Sequence, residues 1–190
     1  MKKCIACGVL AIAALAGSNV ASADIVNISS LGFGIEGNGA FSGVVNYVPG
    51  TLTISLTNLN SSAVGGKITA LAFNINGNAT AVLSSATHPF ASLGNSVSAS
   101  PFGTFEAGAG MGGSWLGGGS PNAGIVRGAT GTFTFTVSGP DAATLTAASF
   151  VSPTPTNNFV VRFRGFENGG SEKAPGYLVP GPAALAAFGL

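Results

Sequence analysis

Thr51-Leu52-Thr53-Ile54-Ser55-Leu56-Thr57 places its large apolar side chains at every second position and hydroxyls between them. Successive side chains of an extended strand point to opposite faces, so this period of two describes one face built for a core and one for water. Thr132-Phe133-Thr134-Phe135-Thr136-Val137 repeats the scheme, and Phe159-Val160-Val161-Arg162-Phe163-Arg164 sets Phe159, Val161 and Phe163 on one side. Thr69-Ala70-Leu71-Ala72-Phe73-Asn74-Ile75 alternates alanine with large residues. Threonine and phenylalanine suit a pleated, half-buried surface. Shorter alternating runs predict further strands at 25–28, 41–48, 80–83 and 104–106.

Working outward, turn chemistry separates these runs: Pro49-Gly50, residues 58–62, Asn76-Gly77-Asn78 and Gly139-Pro140-Asp141. Thirty glycines and ten prolines leave little room for long helices. Many short strands with one apolar face each predict an all-β fold, an antiparallel β-sandwich of jelly-roll or Ig-like kind. It holds at most one short helical turn, at 141–145, capped by Asp141. Residues 108–119 are the lowest-complexity stretch and read as a surface loop. Leu52, Ile54, Phe73, Phe133, Phe135, Phe159 and Phe163 are expected in the core, with Thr53, Thr132, Thr134 and Arg162 facing solvent.

The ends carry export signals. Met1-Lys2-Lys3 is a short basic start, residues 5–16 are an apolar run, and Ala21-Ser22-Ala23 is an A-x-A site. These are the three parts of a secretory signal, and the run is shorter than the roughly 20 residues a spanning helix needs. The signal helix is therefore expected to occupy 1–23, with signal peptidase cutting after Ala23 and the small side chains of Ala21 and Ala23 filling its pocket. Cys4 and Cys7 both lie in that signal, so the mature chain is expected to have no disulfide, thiol nucleophile or Cys-ligated metal. Tyr177-Leu178-Val179-Pro180-Gly181-Pro182 then leads into an Ala/Leu-rich run ending at Leu190. This resembles the opening of the PEP-CTERM sorting tail of exported bacterial proteins, with Gly181 where that motif usually has Glu. The sorting motif here is Val179, Pro180, Gly181 and Pro182. The resemblance implies processing by exosortase and a three-part chain: signal 1–23, β-sandwich domain 24–176, and the start of a tail at 177–190. No full-length helix or basic cluster stands before Leu190.

Composition narrows the function classes. Charged residues make up 7% of the chain and the net charge is +1. That gives no basic stripe for nucleic acid, while a hydrophobic share of 46% argues against disorder. Gly108-Ala109-Gly110-Met111-Gly112-Gly113 matches G-x-G-x-x-G, but Ser114-Trp115-Leu116-Gly117-Gly118-Gly119 cannot open the helix that a dinucleotide site needs. His88, the only histidine, precedes Pro89 and reads as a loop residue rather than part of a Ser-His-Asp set with Asp141 or Asp24. Glu36, Glu106, Glu167 and Glu172 are too scattered to indicate a glycosidase pair. No metal ligands converge by spacing, and no cofactor or catalytic residue is predicted. Three residues are candidate ligand contacts. Trp115 would stack on a sugar or plug the open end of the sandwich. Arg162 and Arg164 share one strand face; they would grip acidic polysaccharide or pair with Glu167 or Glu106.

Two more stretches carry the resemblance. Residues 159–173, reading Phe159-Val160-Val161-Arg162-Phe163-Arg164-Gly165-Phe166-Glu167-Asn168-Gly169-Gly170-Ser171-Glu172-Lys173, are similar to a group of secreted PEP-CTERM proteins of unassigned role. So are Gly117-Gly118-Gly119-Ser120-Pro121-Asn122-Ala123-Gly124-Ile125 and Thr132-Phe133-Thr134-Phe135-Thr136. That likeness implies an exported protein sorted at the envelope of a bacterium that makes exopolysaccharide; the charge-poor Ser/Thr/Asn composition and the lack of a reactive set lead us to expect a non-enzymatic cell-surface or extracellular-matrix protein. Its partners would be polysaccharide or further copies of itself. The alternatives are a carbohydrate-binding module centred on Trp115 and a secreted hydrolase. N-terminal sequencing of the exported protein is expected to begin at Asp24; a mature protein that keeps Met1 or Lys2 overturns the signal.

Overall fold

The computed structural model of the protein describes residues 23–30, 39–151 and 158–180. Ala21, Glu36, Gly181 and Pro182 lie outside the described residues, as do most of the signal and the tail. In chain order the strands are β1 (Asp24–Ser29), β2 (Phe41–Val48), β3 (Thr51–Asn58), β4 (Gly65–Phe73), β5 (Thr80–Ala86), β6 (Phe90–Ser92), β7 (Val97–Ser98), β8 (Thr104–Phe105), β9 (Ala107–Met111), β10 (Thr130–Ser138), β11 (Phe159–Phe166), β12 (Ser171–Pro175) and β13 (Tyr177–Val179). They form an all-β sandwich. One sheet has the order β13-β1-β2-β3-β10-β5, the other β12-β11-β4-β9-β6, and β7 and β8 make a separate hairpin. Every pairing is antiparallel.

The alternating strands pair as their pattern demands. β3 lies between β2 and β10 with Ile54 opposite Val45 and Phe133, and Leu52 opposite Tyr47 and Phe135. A slip of one residue would turn all of these out to water. Phe73 of the facing sheet meets Phe135 edge-on at 5.1 Å and stacks with Phe159 at 6.4 Å. Leu52, Ile54, Phe73, Phe133, Phe135, Phe159 and Phe163 are all buried, whereas Thr53, Thr132 and Thr134 keep part of their surface in solvent. At one end Tyr47 lies against Phe150 at 5.1 Å, and its hydroxyl donates to the carbonyl of Ala142 while accepting from Gly50 N.

Three features depart from expectation. First, the glycine-rich stretch is not wholly a loop, because Ala107–Met111 is the buried strand β9 beside β4. Its alternate residues Gly108 and Gly110 lie next to Ala72 and Ala70. A Cβ on Gly108 would stand 2.6 Å from the Leu71 carbonyl oxygen, and one on Gly110 would stand 2.9 Å from the Leu93 side chain. Glycine here makes room for close layers. Second, the described residues include two short 3-10 turns, Pro121–Ala123 and Ala147–Phe150. The turn at 141–145 does form, with Leu145 N donating to Asp141 O at 3.1 Å. Its first residue caps nothing there: the Asp141 carboxylate accepts from Asn78 N at 2.7 Å, tying the turn to the β4–β5 connection. Third, the sheet continues past residue 176. β13 pairs with β1, Val179 opposite Asn27, so the sheet includes residues 177–179 of the segment expected to begin the tail.

The register sets a measurable contrast. Phe135→Ala is expected to cost about 3–5 kcal/mol in urea unfolding, because it removes a buried ring and leaves a cavity. Thr134→Ala, one residue away on the solvent side, should cost under about 1 kcal/mol. Equal losses would contradict the register.

Candidate functional site

The structure brings Trp115, Arg162 and Arg164 together, but for an internal purpose. β4 and β11 carry an apolar patch on their outer face as well as the apolar inner one. Ala70, Ala72 and Val160 point away from the main core and pack under Val97, Ala99, Phe102, Phe105 and Trp115, with Leu93 at the edge. Residues 93–106 and 112–119, on either side of β9, thus lie as a third layer on the five-stranded sheet. Trp115 is 6% exposed within this layer. It offers no open aromatic face to a sugar, and it seals the flank of the sandwich rather than its open end. Its indole Nε1 is buried with no hydrogen-bond partner among the described residues.

Arg162, expected in solvent, is 8% exposed. It does alternate away from Phe163 as its strand requires, but the third layer covers that side. Nη1 donates to the Trp115 carbonyl at 2.6 Å and Nη2 to Ser171 Oγ at 3.4 Å. A guanidinium has five donors in a planar fork and suits a site where backbone oxygens must be gathered. Arg164 is half-buried and reaches the Gly119 carbonyl at 3.5 Å. Any side chain at Gly117 would start 2.1 Å from its guanidinium, and that glycine has φ +87°. Both arginines therefore fasten the 112–120 loop to β11. No polysaccharide carboxylate is needed to explain them.

Among the described residues the acids and the histidine sit in separate segments, most of the acids on a backbone amide. Glu106 accepts from Ile75 N at 2.7 Å and Glu172 from Gly39 N at 2.9 Å. Asp24 accepts from Ala147 N at 2.7 Å, at the start of the second 3-10 turn. Glu167 sits beside Gly65. His88 lies in the β5–β6 turn with Nδ1 3.1 Å from Thr87 Oγ1. Among the described residues no group of three or more His, Cys, Asp or Glu side chains gathers, and no helix is long and apolar enough to cross a membrane.

A different surface was missed because its residues look like ordinary solvent positions. The outer face of the six-stranded sheet is a field of hydroxyls and amides. Thr51, Thr53, Ser55 and Thr57 on β3 stand opposite Thr136, Thr134, Thr132 and Thr130 on β10. Ser55 and Thr132 hydroxyls are 3.1 Å apart, and those of Thr57 and Thr130 are 2.7 Å apart. Next to them a depression of about 400 Å³ runs across β13, β1, β2, β3 and β10. Asn27, Ser29, Ser42, Val44, Thr57 and Val179 form its walls, over a floor at Gly43. No charged side chain lines it.

No protein-family model, curated protein or solved structure matches the chain.

The arginine clamp has its own test. Arg162→Met is expected to lose about 1.5–3 kcal/mol of stability with the charged hydrogen bonds. It should also shift the fluorescence of Trp115, the single tryptophan, to longer wavelength as the layer loosens. Arg164→Ala should leave the emission nearly unchanged. A blue, wild-type spectrum in Arg162→Met would show that packing alone holds the layer.

Proposed function

We propose that the chain is an exported, non-enzymatic protein of the cell surface or extracellular matrix that associates with polysaccharide. The observation that carries this reading is the outer face of the six-stranded sheet, which has hydroxyl and amide side chains in register and no charge in its depression. Hydroxyls and amides both donate and accept hydrogen bonds, which matches the mixed demands of sugar hydroxyls. Export is supported by the signal at 1–23, whose cut after Ala23 would release a chain starting at the first residue of β1, Asp24. The PEP-CTERM-like motif at Val179-Pro180-Gly181-Pro182 supports sorting by exosortase at the envelope. β13 runs antiparallel to β1 and ends beside Asn27. A tail leaving from Pro180 would thus tether the domain by the end that carries Asp24, with the depression toward the other half of the sheet.

The non-enzymatic part of the proposal is supported by how the acids are used. General acid–base catalysis needs two tuned groups over one bond, whereas Glu106, Glu172, Asp24 and Asp141 each hold a backbone amide in a different segment. Incubating the purified exported protein with the producing organism's exopolysaccharide should give pull-down with unchanged polymer length. Shortened polymer, lost on changing one glutamate, would establish a glycosidase. Absence of pull-down together with concentration-dependent assembly would favour a matrix built from copies of the protein alone.

A further inference from the structure

Resting on that reading, we infer that the depression on the six-stranded sheet is the binding site, and that its ligand is an extended, neutral, β-linked glycan lying across the strands. Three observations converge. The lining has no Asp, Glu, Lys or Arg, so an anionic polymer would be desolvated there with no counter-charge. Asn27, Ser29, Ser42, Ser55, Thr57 and Thr130 supply side chains that both donate and accept. Val44 and Val179, 39% and 43% exposed, supply apolar surface for the C–H faces of sugar rings. Such a pattern of dispersed small apolar patches between hydroxyls fits a sugar chain better than the continuous apolar face that packs one sheet on another.

Geometry gives the direction. The depression crosses five neighbouring strands, roughly 19 Å at an inter-strand spacing of about 4.8 Å. That spacing is close to the advance of one pyranose unit in an extended, equatorially linked chain, so each ring meets one strand's side chains. An α-linked chain that coils could not keep this step. Without an aromatic platform each ring gains little. A hexamer should therefore bind with Kd of about 1 mM, and a polymer more tightly through repeated engagement.

The test is a nitrogen-15 NMR titration of the exported protein with cellohexaose, a neutral β-1,4-linked hexamer, and with hexagalacturonate, an acidic hexamer that is α-1,4-linked. Cellohexaose should shift amides at 27–29, 42–44, 55–57 and 130, and hexagalacturonate should not. Thr57→Val/Thr130→Val removes a mutually bonded hydroxyl pair while keeping shape, so no partner is left unsatisfied. It should weaken cellohexaose about tenfold, equivalent to about 1.4 kcal/mol, as should Ser42→Ile, which fills the depression. Thr104→Val, exposed on the β7–β8 hairpin away from this sheet, should leave affinity unchanged. Shifts that map elsewhere, or a response to hexagalacturonate alone, overturn this site or its neutrality while pull-down of the native polymer still upholds polysaccharide association. No response to either hexamer overturns the inference, and loss of pull-down as well overturns the function it rests on.

Discussion

The fold turns on one constraint: the five-stranded sheet carries an apolar patch on its outer face as well as the apolar inner face. Leu71 and Phe73 of β4 and Phe159 and Val161 of β11 belong to the main core, while Ala70, Ala72 and Val160 between them belong to a second cluster. A sheet of that kind cannot present its outer side to water without exposing contiguous apolar surface. The chain covers it with its own residues 93–106 and 112–119. The cover must lie close, which demands alanine at 70 and 72 and glycine at 108 and 110, and it must be held, which is the work of Arg162. Burying a guanidinium is costly unless its donors are used. Here they reach the Trp115 carbonyl and Ser171, so the cationic group acts as a fastener between layers.

The two sheets therefore have opposite fates. One outer face is covered over its apolar patch; the other, with its threonine columns, stays open to a partner. This asymmetry is why the residues that draw the eye as functional are structural. An aromatic in a glycine-rich stretch and two arginines on one strand resemble a ligand site until the third layer is seen to consume them.

How far the fold is legible from sequence depends on where the physical signal is local. Strands such as 51–57 and 132–137 carry a period of two with large side chains, and their register and core residues are as read. β9 is illegible because alanine and glycine have weak strand preference; its conformation comes from β4 and β6 on either side. Arg162 is misread for a related reason. Alternation correctly places it opposite Phe163, but alternation says only which face a residue is on, and whether that face meets water depends on a segment remote in sequence. The alanines at 70 and 72 were the available clue, since small apolar residues on a supposed solvent face mark a covered one. The depression was missed because serines, threonines and asparagines at alternate positions look alike whether the sheet is flat or hollowed.

The last strand has a consequence for how the molecule completes itself. β13 is only three residues long and joins the first strand, β1, from the opposite end of the domain. Closing so distant a pair brings little enthalpy for much lost chain freedom, so this edge should zip last and fray first. While it is open, the outer rim of β1 displays unpaired amides and carbonyls, a template for edge-to-edge joining with another molecule. The short C-terminal strand thus serves as a guard on the sheet's margin, and the proline that follows it, Pro180, lacks the amide that would let the ladder grow further.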